Sequence, residues 1–441
     1  MMTSTTVRSA RLSLLLGAAL LLAGCAGLLP RGELTPRQRR LNLESFDRVW
    51  TTVRDRHFDP GIGGLDWPGV YDELRPRIAR ASTMRQARAA MQEMLDRLEL
   101  THFSIIPAAI YSELVRDDGQ GFGDGTVGLE VRLIDGRAVV TRVDGQSPSD
   151  RSGVHPGWVV SAIEGDTVAT LLRSIYENFD PGLERDYIAA SAVMYRLDGP
   201  VGDTISVTFL DNQDNEVGLE LPMVPVEGEI YQFGYMPPFR VQIKVDTLAG
   251  SVRCIRFNAF LDPPRLMPVF NTVLQSMDDA SGLIIDLRGN AGGLGVIAMG
   301  MAGWLVGETG HSLGTVYTRD TRLKLVVNPR ANPYTGPVAV LVDGLSVSCA
   351  EFLSGGLQDL GRAAVIGSPT LGAALSSNVE PLPNGDRFQY AFADFIRLDG
   401  SSLEGLGVTP DITVQPTRRD YLAHGDPVLR AALSWIEKQN Q

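Results

Sequence analysis

The stretch Ile284–Gly293, IIDLRGNAGG, and the stretch Ser346–Ala374, SVSCAEFLSGGLQDLGRAAVIGSPTLGAA, decide how this chain is read. An apolar run, Leu283 to Leu287, carries the first turn, and another, Val338 to Val342, precedes the second. Both runs have the length and composition of buried parallel strands, and each leads through Gly or Ser into a helix pattern. The second unit puts Ser348 at a helix N-terminus, where the unpaired amides of the first turn and the positive end of the dipole favour developing negative charge. A serine so placed can act as a nucleophile. In the first unit, Gly292 and Gly293 let the backbone approach a reacting group without a Cβ in the way. Ser346 lies in the same turn as Ser348 and competes for the nucleophile's role; the spacing to the GSPTLG segment favours Ser348.

Outward from these turns, length and composition set the frame. A chain of 441 residues predicts two or three domains, and a hydrophobic content of 44% with 21% charged residues provides for a sizeable core. At the N-terminus, Arg8 and Arg11 precede the apolar run Leu12 to Leu22, too short to span a bilayer and suited to a signal peptide over residues 1–24. The run ends in Leu22-Ala23-Gly24-Cys25, the pattern of a bacterial lipobox, so Cys25 is expected to carry lipid and to anchor an exported protein to the cell envelope. The alternative is an ordinary secretory peptide with a chance cysteine. Residues 25–40 then form a tether whose Arg31, Arg37, Arg39 and Arg40 either lie against anionic lipid or are simply solvated.

Removing residues 1–24 takes away Arg8 and Arg11, so the net charge of −12 becomes −14, which argues against nucleic acid as a partner. The remaining cysteines, Cys254 and Cys349, read as free buried thiols rather than a disulfide. No P-loop, Rossmann fingerprint or metal-ligand cluster is found, so no cofactor and no metal are expected.

Residues 41–120 read as a helical domain. Phe46, Val49, Trp50 and Val53 form one apolar stripe, and Met84, Ala87, Met91, Met94, Leu95 and Leu98 another, opened by a Thr83/Gln86 capping box. His102 follows the second helix, preceded by Thr101. Residues 121–226 change to short β-rich runs, Val127–Val131, Ala138–Val143, Val159–Ile163 and Ile205–Phe209, with a helical stretch over 170–198. Val224 to Pro238 reads as a linker into a core that occupies residues 227–441.

The two turns, in this order and followed by GSPTLG, resemble those of the C-terminal processing and tricorn-core serine peptidases over Gly250 to Val414. The resemblance implies a multidomain α/β (α+β) fold: a helical N-terminal cap, a PDZ-like β-rich module and a crotonase-like core of stacked ββα units. Ser147 to Asp166 resembles the PDZ pattern, which places Gly128, Leu129, Glu130 and Val131 at a carboxylate-binding, strand-adding groove for an extended C-terminus. A generic β-rich insertion is the alternative.

Within that family the base for the serine is either a lysine, whose matching position here is Ala373, or a histidine oriented through a hydroxyl and a glutamate. The second arrangement finds His102, Thr101 and Glu404, the last in LEGLGVTPDI. Histidine can take the serine's proton near neutral pH, and an acceptor must hold its tautomer. The oxyanion would be met by the Cys349 amide and by Gly292 or Gly293. Asp286 and Asp343 read as turn-formers, and Glu351 as a complement to the helix dipole. The implied function is a serine endopeptidase acting on a protein or peptide partner at extended C-terminal tails. Ala373 leaves room for a second reading, an inactive PDZ-bearing binding lipoprotein of the same fold.

Overall fold

A computed structural model describes residues 33–114 and 124–441. The signal peptide, the lipobox with Cys25, Arg31 and the expected boundary at residue 120 lie outside the described residues. Among those described, no helix is long and apolar enough to cross a membrane.

Three helices, α1 (Pro36–Arg56), α2 (Trp67–Arg80) and α3 (Met84–Asp96), open the chain and pack around Phe46, Val49, Leu74, Ile78, Met91 and Met94. Met91 and Met94 are core, as their spacing predicts, while Met84 is half-buried. Thr83 caps α3 by accepting from the Gln86 amide, but the Gln86 side chain reaches the Ser82 amide rather than closing a box on Thr83. The chain then enters a short strand, β1 (Ser104–Ile106).

The next unit is a sheet ordered β2–β3–β4–β5–β6: β2 (Leu129–Ile134), β3 (Arg137–Val143), β4 (Val159–Ile163), β5 (Thr204–Leu210) and β6 (Glu216–Pro222). The helical stretch resolves into α4 (Val168–Asn178) and α5 (Leu183–Arg196), with α5 lying beside β2, which is an edge strand. The stretch expected as a linker is more ordered than its Pro-rich composition suggests. Val224 and Pro225 pair with Thr126 and Gly125, and Glu229–Tyr231 pairs with Phe239–Val241. Pro225 is compatible with its pairing because it lies in a two-residue edge strand, where its lack of an N–H to donate costs little.

The core is a six-stranded sheet in the order β7–β8–β9–β12–β13–β16. It comprises β7 (Ile243–Leu248), β8 (Val252–Phe257), β9 (Gly282–Asp286), β12 (Val338–Val342), β13 (Ala364–Gly367) and β16 (Ile412–Thr413). From β8 onward the strands run parallel, and burial on both faces explains the unbroken apolar run of β12 and that of β9 up to Asp286. Helices α6 (Pro263–Gln275), α7 (Gly295–Ala302) and α8 (Cys349–Asp359) cover one face; α9 (Pro427–Gln439) covers the other. A second sheet holds β10 (Ser312–Thr318), β11 (Arg322–Val326), β14 (Ser376–Pro381) and β15 (Arg387–Ile396). β1 joins it by pairing with β15, Ser104 opposite Gln389. That pairing, with the buried Arg88–Asp386 ion pair, fixes the helical unit on the core two residues after His102.

Cys254 and Cys349 are both free and buried. Their side chains belong to the clusters on opposite faces of the central sheet, which explains why they do not pair.

Candidate active site

Sequence places a turn at the end of each of β9 and β12, and the structure brings the two turns into contact. The Val347 amide donates to the Asn290 carbonyl at 3.0 Å. A Cβ on Gly292 would lie 2.6 Å from the Ser348 Cβ, so only glycine fits there. Ser348 sits at φ 55°, ψ −117°, a backbone conformation that costs on the order of 1–3 kcal/mol and persists where the surroundings enforce it. Ser346 is fully buried, and its hydroxyl donates to the Leu287 carbonyl at 2.8 Å while accepting from the Asp343 amide at 3.0 Å. It pins the turn to β9 and has no free face, which leaves Ser348 as the turn's open hydroxyl.

Glu351 does much more than complement a dipole. Its buried carboxylate accepts from the Ser348 amide (2.9 Å) and the Ala373 amide (3.1 Å) on Oε2, and from the Thr370 hydroxyl (2.7 Å) and the Gly372 amide (2.8 Å) on Oε1. Four donors on one carboxylate tie the serine turn to the segment 370–373. Burial nonetheless pushes its pKa up to about 7 against those hydrogen bonds, and the nearby Glu404 charge adds to the rise. The signal that could have revealed this role is the SxSxxE pattern itself, whose Glu falls one turn into a helix with apolar neighbours on every side.

The second cluster meets the first at Ala373–Ala374. The Ser348 amide donates to the Ala373 carbonyl (2.9 Å), and the next amide, Ala374, donates to Glu404 Oε2 (3.1 Å). Glu404 also accepts from the Thr101 amide (2.7 Å, Oε1) and the Thr101 hydroxyl (3.0 Å, Oε2). That hydroxyl lies 2.7 Å from His102 Nδ1. With the hydroxyl donating to the carboxylate, its lone pair accepts Nδ1–H, which fixes the proton on Nδ1 and leaves Nε2 as the basic nitrogen. Burial lowers the His102 pKa to about 4 and raises that of Glu404 to about 7. Among the described residues, no hydrogen bond joins Ser348 Oγ to the imidazole. The position open to a lysine base is Ala373, fully buried against Val347, Leu371 and Tyr187 of α5. The lysines of this chain, Lys244, Lys324 and Lys438, lie elsewhere.

The oxyanion turn is braced from the side of Phe260. The Phe260 amide donates to the Gly292 carbonyl (2.7 Å), and the Leu294 amide donates to the Phe260 carbonyl (2.8 Å). In a trans peptide C=O and N–H point oppositely, so the Gly293 N–H is directed away from Phe260. The Gly292 N–H is already bonded to Asn290 Oδ1 at 2.9 Å. Geometry therefore selects Gly293 as the available amide of the pair.

Asp286 and Asp343 are indeed structural. Burial of Asp286 is outweighed by Arg288 and Arg256, which hold its pKa at about 2. Asp343 accepts from the Gly289 and Leu345 amides and pairs with Arg132. Gly128, at φ 78°, faces Ser147 so closely that a Cβ would collide at 2.2 Å. Leu129 starts β2, and the Val131 amide on the edge of β2 donates to Met194 Sδ of α5 at 3.2 Å. The Glu130 side chain is engaged within the protein. Its carboxylate is paired with Arg132, Arg142 and Arg256, which hold its pKa low despite burial.

With this geometry in hand, the comparisons are specific. Residues 250–414 match the model of peptidase family S41, and residues 42–96 match that of the tricorn protease C1 domain. The family match thus falls on the segment that holds both turns and Glu404. The chain is 26% identical to the carboxy-terminal-processing protease of Bartonella bacilliformis over 70% of its own length and 65% of that protein's. It is 26% identical to the carboxyl-terminal-processing protease of a Synechocystis species over 91% and 86% of the two lengths. A tricorn protease homolog of Streptomyces coelicolor aligns over 89% of this chain but 32% of its own. The chain thus spans less than two thirds of the Bartonella and Streptomyces relatives. The photosystem II D1 C-terminal processing protease shares the fold, with a TM-score of 0.56 at 20% identity over 90% of this chain and all of that one. The segment matching the S41 model carries Ser348, Glu351, Ala373 and Glu404, whereas Thr101 and His102 lie outside both matched segments, on the link between the helical unit and β1.

Proposed function

We propose that this protein is a serine endopeptidase of the cell envelope, lipid-anchored through Cys25, that cleaves exported proteins at or near extended C-terminal tails. One observation carries the catalytic part: a single hydroxyl, Thr101 Oγ1, contacts both His102 Nδ1 and Glu404 Oε2.

In this reading the Ser348 hydroxyl attacks the scissile carbonyl while His102 Nε2 takes its proton. The imidazolium formed is stabilised through Thr101 by Glu404, whose charge is kept in place by the Thr101 and Ala374 amides. The amides of Cys349 and Gly293 face the tetrahedral oxyanion, each worth about 3 kcal/mol in such a hole. His102 then returns the proton to the leaving amine, and water repeats the sequence on the acyl-enzyme. Substrate enters as an extended segment along the edge of β2 beside α5, where main-chain pairing gives affinity and alternate side chains give selectivity. The role assigned to Gly128, Leu129 and Val131 is that of the strand edge, while Glu130 buttresses the strand through its arginines.

The test is hydrolysis of an unfolded protein with a free apolar C-terminus by the full chain in detergent, compared with Ser348→Ala and His102→Ala. Loss of cleavage in both variants supports the relay. No cleavage by the wild type, with the tail still bound, instead supports a binding lipoprotein.

A further inference from the structure

We propose that the Cys349 thiol is a positioning group for the oxyanion hole, locking the two amide donors at a fixed separation; this rests on the serine peptidase reading above. Cys349 opens α8 and offers its own amide to the hole. Its Sγ also donates to the carbonyl of Gly293, the residue that bears the other donor, at 3.0 Å. One side chain therefore links the nucleophile turn to the oxyanion turn at the residues whose amides must act together.

The rest of the bracing shows why this link matters. Phe260 holds the Gly292 carbonyl and the Leu294 amide. Gly293 itself has φ 139° and no side chain, and a Cβ there would lie 2.3 Å from the Phe260 carbonyl oxygen. Glycine is the most conformationally free residue, so each added contact at Gly293 narrows the range its φ and ψ can take. Asn290 secures the start of the turn by accepting from Val347 and Gly292, but nothing in that set touches the Gly293 carbonyl. The thiol is the contact that does so from the nucleophile's side. It is 1% exposed, and burial pushes its pKa up to about 12, so it remains protonated and able to donate across the working range.

A hydrogen-bond donor stabilises an oxyanion because it is already aimed where charge will appear, and removing one outright costs about 10²–10³ in kcat. Releasing the Gly293 carbonyl loosens the turn at the residue that bears the donor, while the peptide carrying that N–H keeps its Phe260 contact on the Gly292 carbonyl, so the cost should be part of that. Cys349→Ala deletes the S–H and leaves the backbone amide in place; Cys349→Ser keeps a donor on a side chain of similar shape.

The experiment measures kcat and KM for tail hydrolysis, inhibition by a peptide boronate whose tetrahedral serine adduct places an oxygen in the hole, and Tm, for the wild type and both variants. It adds tail binding by Ser348→Ala with and without Cys349→Ala. The expected result is a five- to thirtyfold fall in kcat for Cys349→Ala and a matching loss of boronate affinity. KM and tail binding should be unchanged, and Cys349→Ser should recover most of the rate. Equal kcat for Cys349→Ala and wild type overturns the inference while leaving the peptidase reading intact. An equal fall for Ala and Ser, tracking a lower Tm, also overturns it, because packing would then explain the effect. Absence of hydrolysis by the wild type overturns the peptidase reading itself and this inference with it.

Discussion

Replacing Thr101 with valine tests the relay at its narrowest point. Valine keeps the branched shape but has no hydroxyl, so the bond to His102 Nδ1 and the bond to Glu404 Oε2 disappear together. The glutamate itself should stay in place, because the Thr101 amide on Oε1 and the Ala374 amide on Oε2 are backbone donors that the substitution does not touch. What is lost is the path by which the carboxylate fixes the imidazole's tautomer and stabilises its charge. A hydrogen bond to a charged group contributes about 1.5–3 kcal/mol, which at about 1.4 kcal/mol per decade predicts a fall in kcat of roughly 10- to 150-fold. KM should hardly move, since Thr101 contacts no substrate in this reading. Thr101→Ser, which keeps the hydroxyl, should stay within a few-fold of the wild type. Steady-state hydrolysis of an unfolded substrate, with Tm as a control for folding, measures all of this. A Thr101→Val enzyme within threefold of wild-type kcat would refute the relay, for it would show His102 working without the hydroxyl or not working at all.

Glu351→Gln places an NH₂ group against donors that now meet carboxylate oxygen. Two buried donors left unpaired should cost about 2–6 kcal/mol in denaturant-unfolding experiments and displace the Ser348 turn enough to lower kcat by at least tenfold; unchanged stability would sink the assigned role. His102 predicts a pH effect on stability. Its folded pKa of about 4 lies below the ordinary 6.5, so the folded state binds fewer protons between those values, and stability is full above pH 6.5 and falls as the pH drops to 4. A shift of that size corresponds to about 3 kcal/mol. The difference between wild type and His102→Gln should therefore carry that slope, with the opposing titrations of Glu351 and Glu404 cancelling, and a flat difference curve would contradict a buried neutral imidazole. Gly293→Ala should lower both Tm and kcat, because its Cβ meets the Phe260 carbonyl at 2.3 Å; an active, stable variant would remove Gly293 from the oxyanion hole.

Much of this site was legible in the sequence because it is built from short segments with strong local signals. The apolar runs of β9 and β12 gave buried parallel strands, and the glycines and serines after them gave turns at the strand ends. What the sequence could not express was how each turn's polar groups are partnered. Ser346 and Ser348 differ by two positions in one loop, yet one hydroxyl is buried against Leu287 and the other is not, a distinction set by the twist of a turn with φ 55° at Ser348. Glu351 was misjudged for the same reason: a glutamate in the first turn of a helix satisfies a general rule about dipoles, and only the return of the chain at residues 370–373 supplies three of its four donors. The Glu130 carboxylate meets Arg256, 126 positions later, a pairing that no local pattern around residue 130 signals.

Ala373 shows most directly how the fold resolves what a motif leaves open. A missing lysine, taken alone, points equally to a lost activity and to a different base. In the structure that position is buried against Tyr187, Val347 and Leu371. The carbonyl of Ala373 holds the Ser348 amide, and the amide of Ala374 holds Glu404, so the same dipeptide that excludes a lysine base joins the nucleophile to the acid of the histidine relay. The connection favours a site in which the proton leaves Ser348 by way of His102, with the backbone at 373–374 keeping the two halves in register.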